Sequence, residues 1–171
     1  SFCAMKHVGM NVASDALMTL TLTGVAGGLV IAVADDVGLS SSQNEQDSRF
    51  WGRFAHVPLL EPADSQEAYE FTKAAFELSE RFQTPVILRL TTRICHVKAL
   101  VTVGERVQHV AAGFKKEAAR WVMVPGAAAK RIPLMFEREG KLREEAEVTA
   151  LNVTETGEGG KTDRRVGFVT S

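Results

Sequence analysis

Two adjacent carboxylates, Asp35 and Asp36, stand where an unbroken apolar run ends and a polar stretch reaching Arg49 begins. Gln43, Asn44, Glu45, Gln46, Asp47, Ser48 and Arg49 then bring donors, acceptors and both charge signs together. Such a set can orient a polar ligand. A solvated loop is the plainer reading, and what weighs against it is position. The run that follows Gly27-Gly28 reads as a strand buried on both faces of a parallel sheet, and open α/β sheets bind ligands beyond the carboxyl ends of their strands.

The elements around this stretch alternate between strand and helix. Phe2 to Met5 reads as an opening strand, and Lys6, His7, Val8, Gly9 and Asn11 as a polar turn bent at the glycine. A helix over Ala16 to Thr23 follows, capped by Ser14 or Asp15. Beyond Arg49, Phe50 to Phe54 carries aromatic residues at helical spacing that are expected to pack the loop against the core. Val57 to Leu60 reads as a short strand. Asp64, Ser65 and Glu67 mark a helix start, and from Ser65 to Phe82 the residues Ala68, Phe71, Ala75, Phe76 and Leu78 recur at spacings of three and four, so one face covers the sheet. Val86 to Leu90 is the next strand, ending in the polar Thr91, Thr92 and Arg93. This succession predicts an α/β fold, a mostly parallel sheet flanked by helices and built from βαβ crossovers.

Later in the chain the pattern is weaker. Val101 to Val110 reads as a strand or an extended connector, and Trp121 to Val124 as a short strand or extended turn. Ala127 to Val148 is helix-prone and heavily charged, with Pro133 near its start or kinking it, and reads as a solvated linker helix. The glycines of 154–164 suit a flexible linker, and 165–171 reads as a strand that has only begun. The expected division is a domain over 1–125, a helix and linker over 126–164, and the first strand of a following domain from 165 to 171. Ser1 opens inside a strand, so the sequence is expected to be a segment of a longer protein.

Composition narrows the function classes. With 171 residues, 45% of them hydrophobic, the chain can bury one substantial core. A formal net charge of −1 with both signs interspersed gives no electrostatic footprint for nucleic acid or an anionic membrane. Cys3 and Cys95 lack the spacing of a disulfide framework and suit a reducing compartment, and no apolar run approaches the roughly 20 residues of a membrane span; a cytoplasmic protein is expected. Phosphate-loop and dinucleotide fingerprints are absent, since the GEGGKT stretch has neither the spacing nor the preceding buried strand. His7, His56, His96 and His109 are scattered and give no zinc-ligand spacing. Cys95-His96 is not read as a catalytic pair, because neighbours on a strand point to opposite faces. Met5, Met10 and Met18 are read as core residues.

The motifs MKHVG-N from Met5, ADD-G from Ala34, SSQNEQDSR from Ser41 and LEP-DSQEA from Leu60 together make the region from Met5 to His96 closely similar to one family. It resembles the alpha subunits of indolepyruvate ferredoxin oxidoreductases, among the thiamine-diphosphate-dependent 2-oxoacid:ferredoxin oxidoreductases. From Arg120 onward the resemblance is looser, carried by the VMVP run. Ser40 stands where many relatives have histidine, which bears on substrate specificity, and Gly126 to Ala129 replaces a more polar run.

The resemblance implies that residues 1–125 form the second half of a domain holding the aminopyrimidine ring of thiamine diphosphate. The cofactor-activating glutamate is expected upstream of Ser1. Diphosphate, Mg2+ and [4Fe-4S] clusters are expected in parts of the full-length chain outside this sequence, which alone would be inactive. The implied reaction is CoA-dependent oxidative decarboxylation of an aryl pyruvate such as indolepyruvate to an aryl-acetyl-CoA and CO2. Ferredoxin would accept the electrons and a beta subunit would be the partner. Lys6, Asn11, Asp35, Asp36, Ser41, Ser42, Gln43, Asn44 and Glu45 are the implied cofactor contacts. His7 would shuttle a proton or donate a hydrogen bond to a developing enolate, and Arg49 would grip the 2-oxoacid carboxylate through a two-point fork; for each, a bond that merely orders the loop is the structural alternative. Two other readings stay open: a related oxidoreductase acting on a different 2-oxoacid, and a noncatalytic interaction domain.

Overall fold

A computed structural model describes residues 1–106, 108, 113 and 115–152. Four strands form one parallel sheet in the order β1-β2-β4-β3: β1 (Phe2–Lys6), β2 (Val30–Asp35), β3 (Leu59–Leu60) and β4 (Val86–Thr91). Helices cover both faces, as the alternating pattern predicts. Inward-pointing residues of the central strands divide by parity. Ile31, Val33 and Ile87 meet Met10 of α1 (His7–Val12), Leu17 of α2 (Ser14–Thr23) and Ala55 of α3 (Arg49–Ala55). Val30, Val86 and Leu88 meet Phe71 and Ala75 of α4 (Ser65–Phe82). A strand buried on both faces has no polar side, which is why β2 reads as a continuous apolar run.

Helix α4 spans the predicted residues and begins as the sequence indicates. The Asp64 side chain accepts the Glu67 amide at 2.9 Å, satisfying one orphan donor of the first turn, while the Glu67 side chain accepts the Ala63 amide just before the cap at 2.7 Å. Its C-terminal half is tied to β2 by Ser79, which accepts the Leu29 amide at 2.8 Å and donates to the Thr84 carbonyl at 2.6 Å. A side chain at Gly28 would lie 2.9 Å from Phe76, so the close approach of strand and helix requires glycine there.

Several expectations are corrected. Lys6 to Asn11 is not a turn: the strand passes directly into α1, whose His7 and Met10, three apart, are both buried and fix the helix by packing. Neither Ser14 nor Asp15 caps α2; Ala13 occupies that position without a side-chain bond. Residues 92–96 form a short helix, α5 (Thr92–His96), so Cys95 and His96 do not sit on a strand. Both cysteine thiols are free, and burial raises each above its usual value. Trp121 ends a four-residue helix, α6 (Ala118–Trp121), before 122–124 extends. Of the α3 aromatics only Trp51 packs on the core; Phe50 and Phe54 are 67% and 62% exposed.

The charged helix α7 (Pro125–Val148) runs through Pro133 and is no solvated linker. Met135 is buried against the Thr21 hydroxyl of α2, Arg138 donates to the Thr21 carbonyl, and Glu139 accepts from His56 at 2.7 Å. The expected boundary at 125 thus falls at the first residue of a helix that packs on the sheet domain. Residues 97–106 have no regular structure, while most of 107–114 and the expected linker and strand beyond 152 lie outside the described residues. Among the described residues no helix is long and apolar enough to cross a membrane.

Candidate functional site

The register of the sheet brings three strand ends level: Lys6 pairs with Ala34, and Asp35 with Thr91. Lys6 and His7, Asp35 and Asp36, and Thr91 and Thr92 therefore surround one crevice, with the 37–48 loop above it. Gly38 and Leu39 both adopt positive φ, 80° and 59°. Leucine occupies that region rarely, and the turn returns the chain so that Ser41 donates its amide to Asp36 at 2.8 Å.

Asp36 is the hub of the loop's near end. Its carboxylate accepts from the Ser41 amide and hydroxyl and from Lys6 at 3.2 Å, while Lys6 also donates to the Ser42 hydroxyl at 2.5 Å. Hydrogen bonding from Ser42 and the Ser41 amide, then the ammonium of Lys6, holds the Asp36 carboxyl well below the usual carboxylate range. His7 is fully buried beneath the loop. Its Nδ1 accepts the Asp36 amide at 3.4 Å, and its Nε2 lies 3.2 Å from the Asn44 carbonyl. An amide only donates and a carbonyl only accepts, so the ring carries its proton on Nε2. Both nitrogens are thereby engaged with backbone, which is the loop-ordering alternative for His7 and leaves no free nitrogen for a substrate.

The far end is built differently. Asp35 is buried, and it accepts the Ser48 amide at 2.9 Å, the Ser48 hydroxyl at 2.5 Å and Arg89 Nε at 2.7 Å. Arg89 also donates to Glu61. Asp35 is therefore an internal strut whose oxygens are engaged by Ser48 and Arg89. Arg49 forks onto Asp47, with Nε at 2.9 Å and Nη2 at 2.7 Å from its carboxylate oxygens. That pair lowers the Asp47 carboxyl and raises the guanidinium. The fork expected for a substrate carboxylate is thus formed within the chain, though the Arg49 side chain remains 53% exposed.

Of the remaining expected contacts, Gln43, Asn44 and Glu45 are exposed on the loop, with Asn44 Oδ1 accepting from Gln46. Asn11 is exposed at the last turn of α1, and none of the cluster's polar contacts involves it. Arg89 was not among the expected site residues. Its signal was a lone cation inside the apolar VILRL run, which demands a buried carboxylate partner. Among the described residues no group of three or more His, Cys, Asp or Glu side chains could hold a metal ion.

A parallel α/β sheet with a polar loop folded over its carboxyl ends is the architecture of an open-sheet ligand-binding domain. No family model and no solved structure matches the chain. Curated relatives do. The indolepyruvate oxidoreductase subunit IorA of Thermococcus kodakarensis is 48% identical over 97% of this chain and 26% of its own length. That of Methanothermobacter thermautotrophicus is 45% identical over 100% of the chain and 27% of its own length. The 2-oxoglutarate synthase subunit KorA of Methanothermobacter marburgensis is 27% identical over 40% of the chain and 19% of its own length. The chain is similar to IorA subunits over nearly its whole length and spans about a quarter of the length of the relatives it matches.

Proposed function

We propose that this chain contributes one wall of the reaction site of an indolepyruvate ferredoxin oxidoreductase. The reaction is CoA-dependent oxidative decarboxylation of an aryl pyruvate to an aryl-acetyl-CoA and CO2, with electrons passed to ferredoxin. The carrying observation is the similarity to IorA subunits over nearly the whole chain, against a similarity to KorA confined to 70 residues. A beta subunit is the expected partner. A different 2-oxoacid is the second reading, favoured by the KorA relationship.

Thiamine diphosphate would supply the electron sink for decarboxylation. The residues present fit its ring end only. Gln43, Asn44 and Glu45 offer exposed polar groups above the strand ends, while Lys6, Asp36, Ser41 and Ser42 bond one another and hold the loop in shape. Asp35, buried against Ser48 and Arg89, is withdrawn from the contact set. The diphosphate, Mg2+ and [4Fe-4S] clusters are left to other parts of a longer chain. Arg49 would take the substrate carboxylate while Asp47 holds its Nε edge.

The test is anaerobic turnover by the complete subunit co-produced with its partner, using indolepyruvate, coenzyme A, thiamine diphosphate and a viologen dye. Dye reduction that needs all three reactants is expected. Activity with another 2-oxoacid alone would replace the substrate. Silence with every acid, from a folded and cofactor-loaded complex, would favour the noncatalytic domain.

A further inference from the structure

Arg89 lies on the central strand β4, 5% exposed, opposite Val33 of β2 and on the same face as Asp35 two residues on. One guanidinium there faces three carboxylates: Asp35 at 2.7 Å, Glu61 through Nη1, and Asp47 at 4.0 Å. Asp35 in turn grips both the amide and the hydroxyl of Ser48, the last residue before α3. Asp47 grips Arg49, through both its guanidinium and its backbone amide. A charge buried at such depth is retained only where it is fully paired. Here every partner of Arg89 is either a loop-closing residue or the carboxylate that follows β3.

We infer that Arg89 is the positioning residue for the far end of the 37–48 loop and, through Ser48 and Asp47, for Arg49. The near end needs no such device, because Asp36, Ser41 and Lys6 close it locally within hydrogen-bond reach of one another. At the far end the loop must be fixed to the sheet across a tertiary gap, and the Arg89–Asp35–Ser48 relay spans it. The charges explain why a cation is required. Without it, Asp35 and Glu61 would lose their shared buried cation, and the carboxylates gathered at the strand end, Asp47 among them, would be left with the half-exposed Arg49 alone, which loosens the hold on the 47–49 segment.

The role of Arg89 in catalysis rests on the reading of this loop as the reaction site; its role in holding the loop does not. Both are read in the complete subunit with its partner, comparing Arg89→Lys and Arg89→Met with the parent. Amide exchange, measured without substrate, is expected to quicken at least tenfold in peptides covering 40–49 for Arg89→Met. Peptides of β2 and β4 should keep their protection, and Arg89→Lys should restore part of the loss. Arg89→Met together with Glu61→Gln, which removes one of the stranded carboxylates while leaving the Asp35–Ser48 bonds in place, serves if Arg89→Met alone fails to fold; it should loosen 40–49 in the same selective way. In turnover on whichever 2-oxoacid the parent accepts, KM should rise about tenfold with kcat changed less than threefold. Combining Arg89→Lys with Arg49→Ala should raise KM no further than Arg49→Ala does. Unchanged exchange over 40–49, loosening spread equally through β2 and β4, or multiplicative effects on KM would each overturn the inference. A parent that turns over no 2-oxoacid defeats the proposed reaction while the exchange measurement still decides the positioning role.

Discussion

Removing the imidazole of His7 would strand the Asp36 amide and the Asn44 carbonyl and open a hole in a site with no solvent exposure. His7→Ala is expected to cost about 3 kcal/mol, combining cavity and unpaired-donor terms. Denaturant titration of the complete subunit measures it, and a loss under about 1 kcal/mol would place the loop's support elsewhere. Arg49 presents the opposite case. Its pair with Asp47 is half-exposed, and such pairs contribute about 0–1 kcal/mol, so Arg49→Ala should scarcely change stability. As a carboxylate anchor it would weaken apparent 2-oxoacid affinity on the order of tenfold or more, the scale of a lost charge-assisted bond. An unchanged KM would remove Arg49 from substrate binding. At this scale the sequence was informative about which residues gather and poor about which are accessible. The adjacent Asp35 and Asp36 look alike as letters, yet they point to opposite faces of a strand end, and only Asp36 meets the loop's near end.

Helix α4 is the element most fully written in its own sequence. Its cap, acidic first turn and apolar stripe are all local, and nothing tertiary contradicts them. Asp64→Ala should therefore cost about 1 kcal/mol, the usual value of a lost N-cap bond, read as a lowered midpoint with an unchanged denaturant slope. Helix α1 and the docking of α7, whose helical span the sequence does indicate, escape the sequence for opposite reasons. Glycine and asparagine make 6–11 look like a turn, but burial of His7 and Met10 overrides those weak propensities. In α7 the apolar signal is thin, and docking rests instead on polar groups that sequence alone leaves unpartnered: Arg138 on a carbonyl of α2, Glu139 on His56, Glu145 on Arg81. Arg89 was hidden by the same limit, since a single cation in an apolar run cannot announce three partners from three other segments.

For the molecule as a whole, the shifted carboxylates agree in sign. Asp36, Asp47 and Glu139 all have folded values below the ordinary one: Asp36 chiefly through Ser42 and Ser41, Asp47 through Arg49, Glu139 through Arg143. Each contributes stability that is complete above the unfolded carboxylate value of about 4 and is lost as pH falls through the folded value. Thermal midpoints of the complete subunit should therefore drop steeply below about pH 4, and Asp36→Asn should flatten that drop; an equally steep fall in the variant would show that Asp36 plays no part. The strand order β1-β2-β4-β3 has a consequence of another kind. β2 and β3 never touch, because β4, the last of the four to be made, fits between them. At about 5–20 residues per second, several seconds of synthesis separate β2 from the strand that completes it. Throughout that interval the edge of β2 that β4 will occupy has no strand beside it, so the sheet can close only after Thr91 has been made.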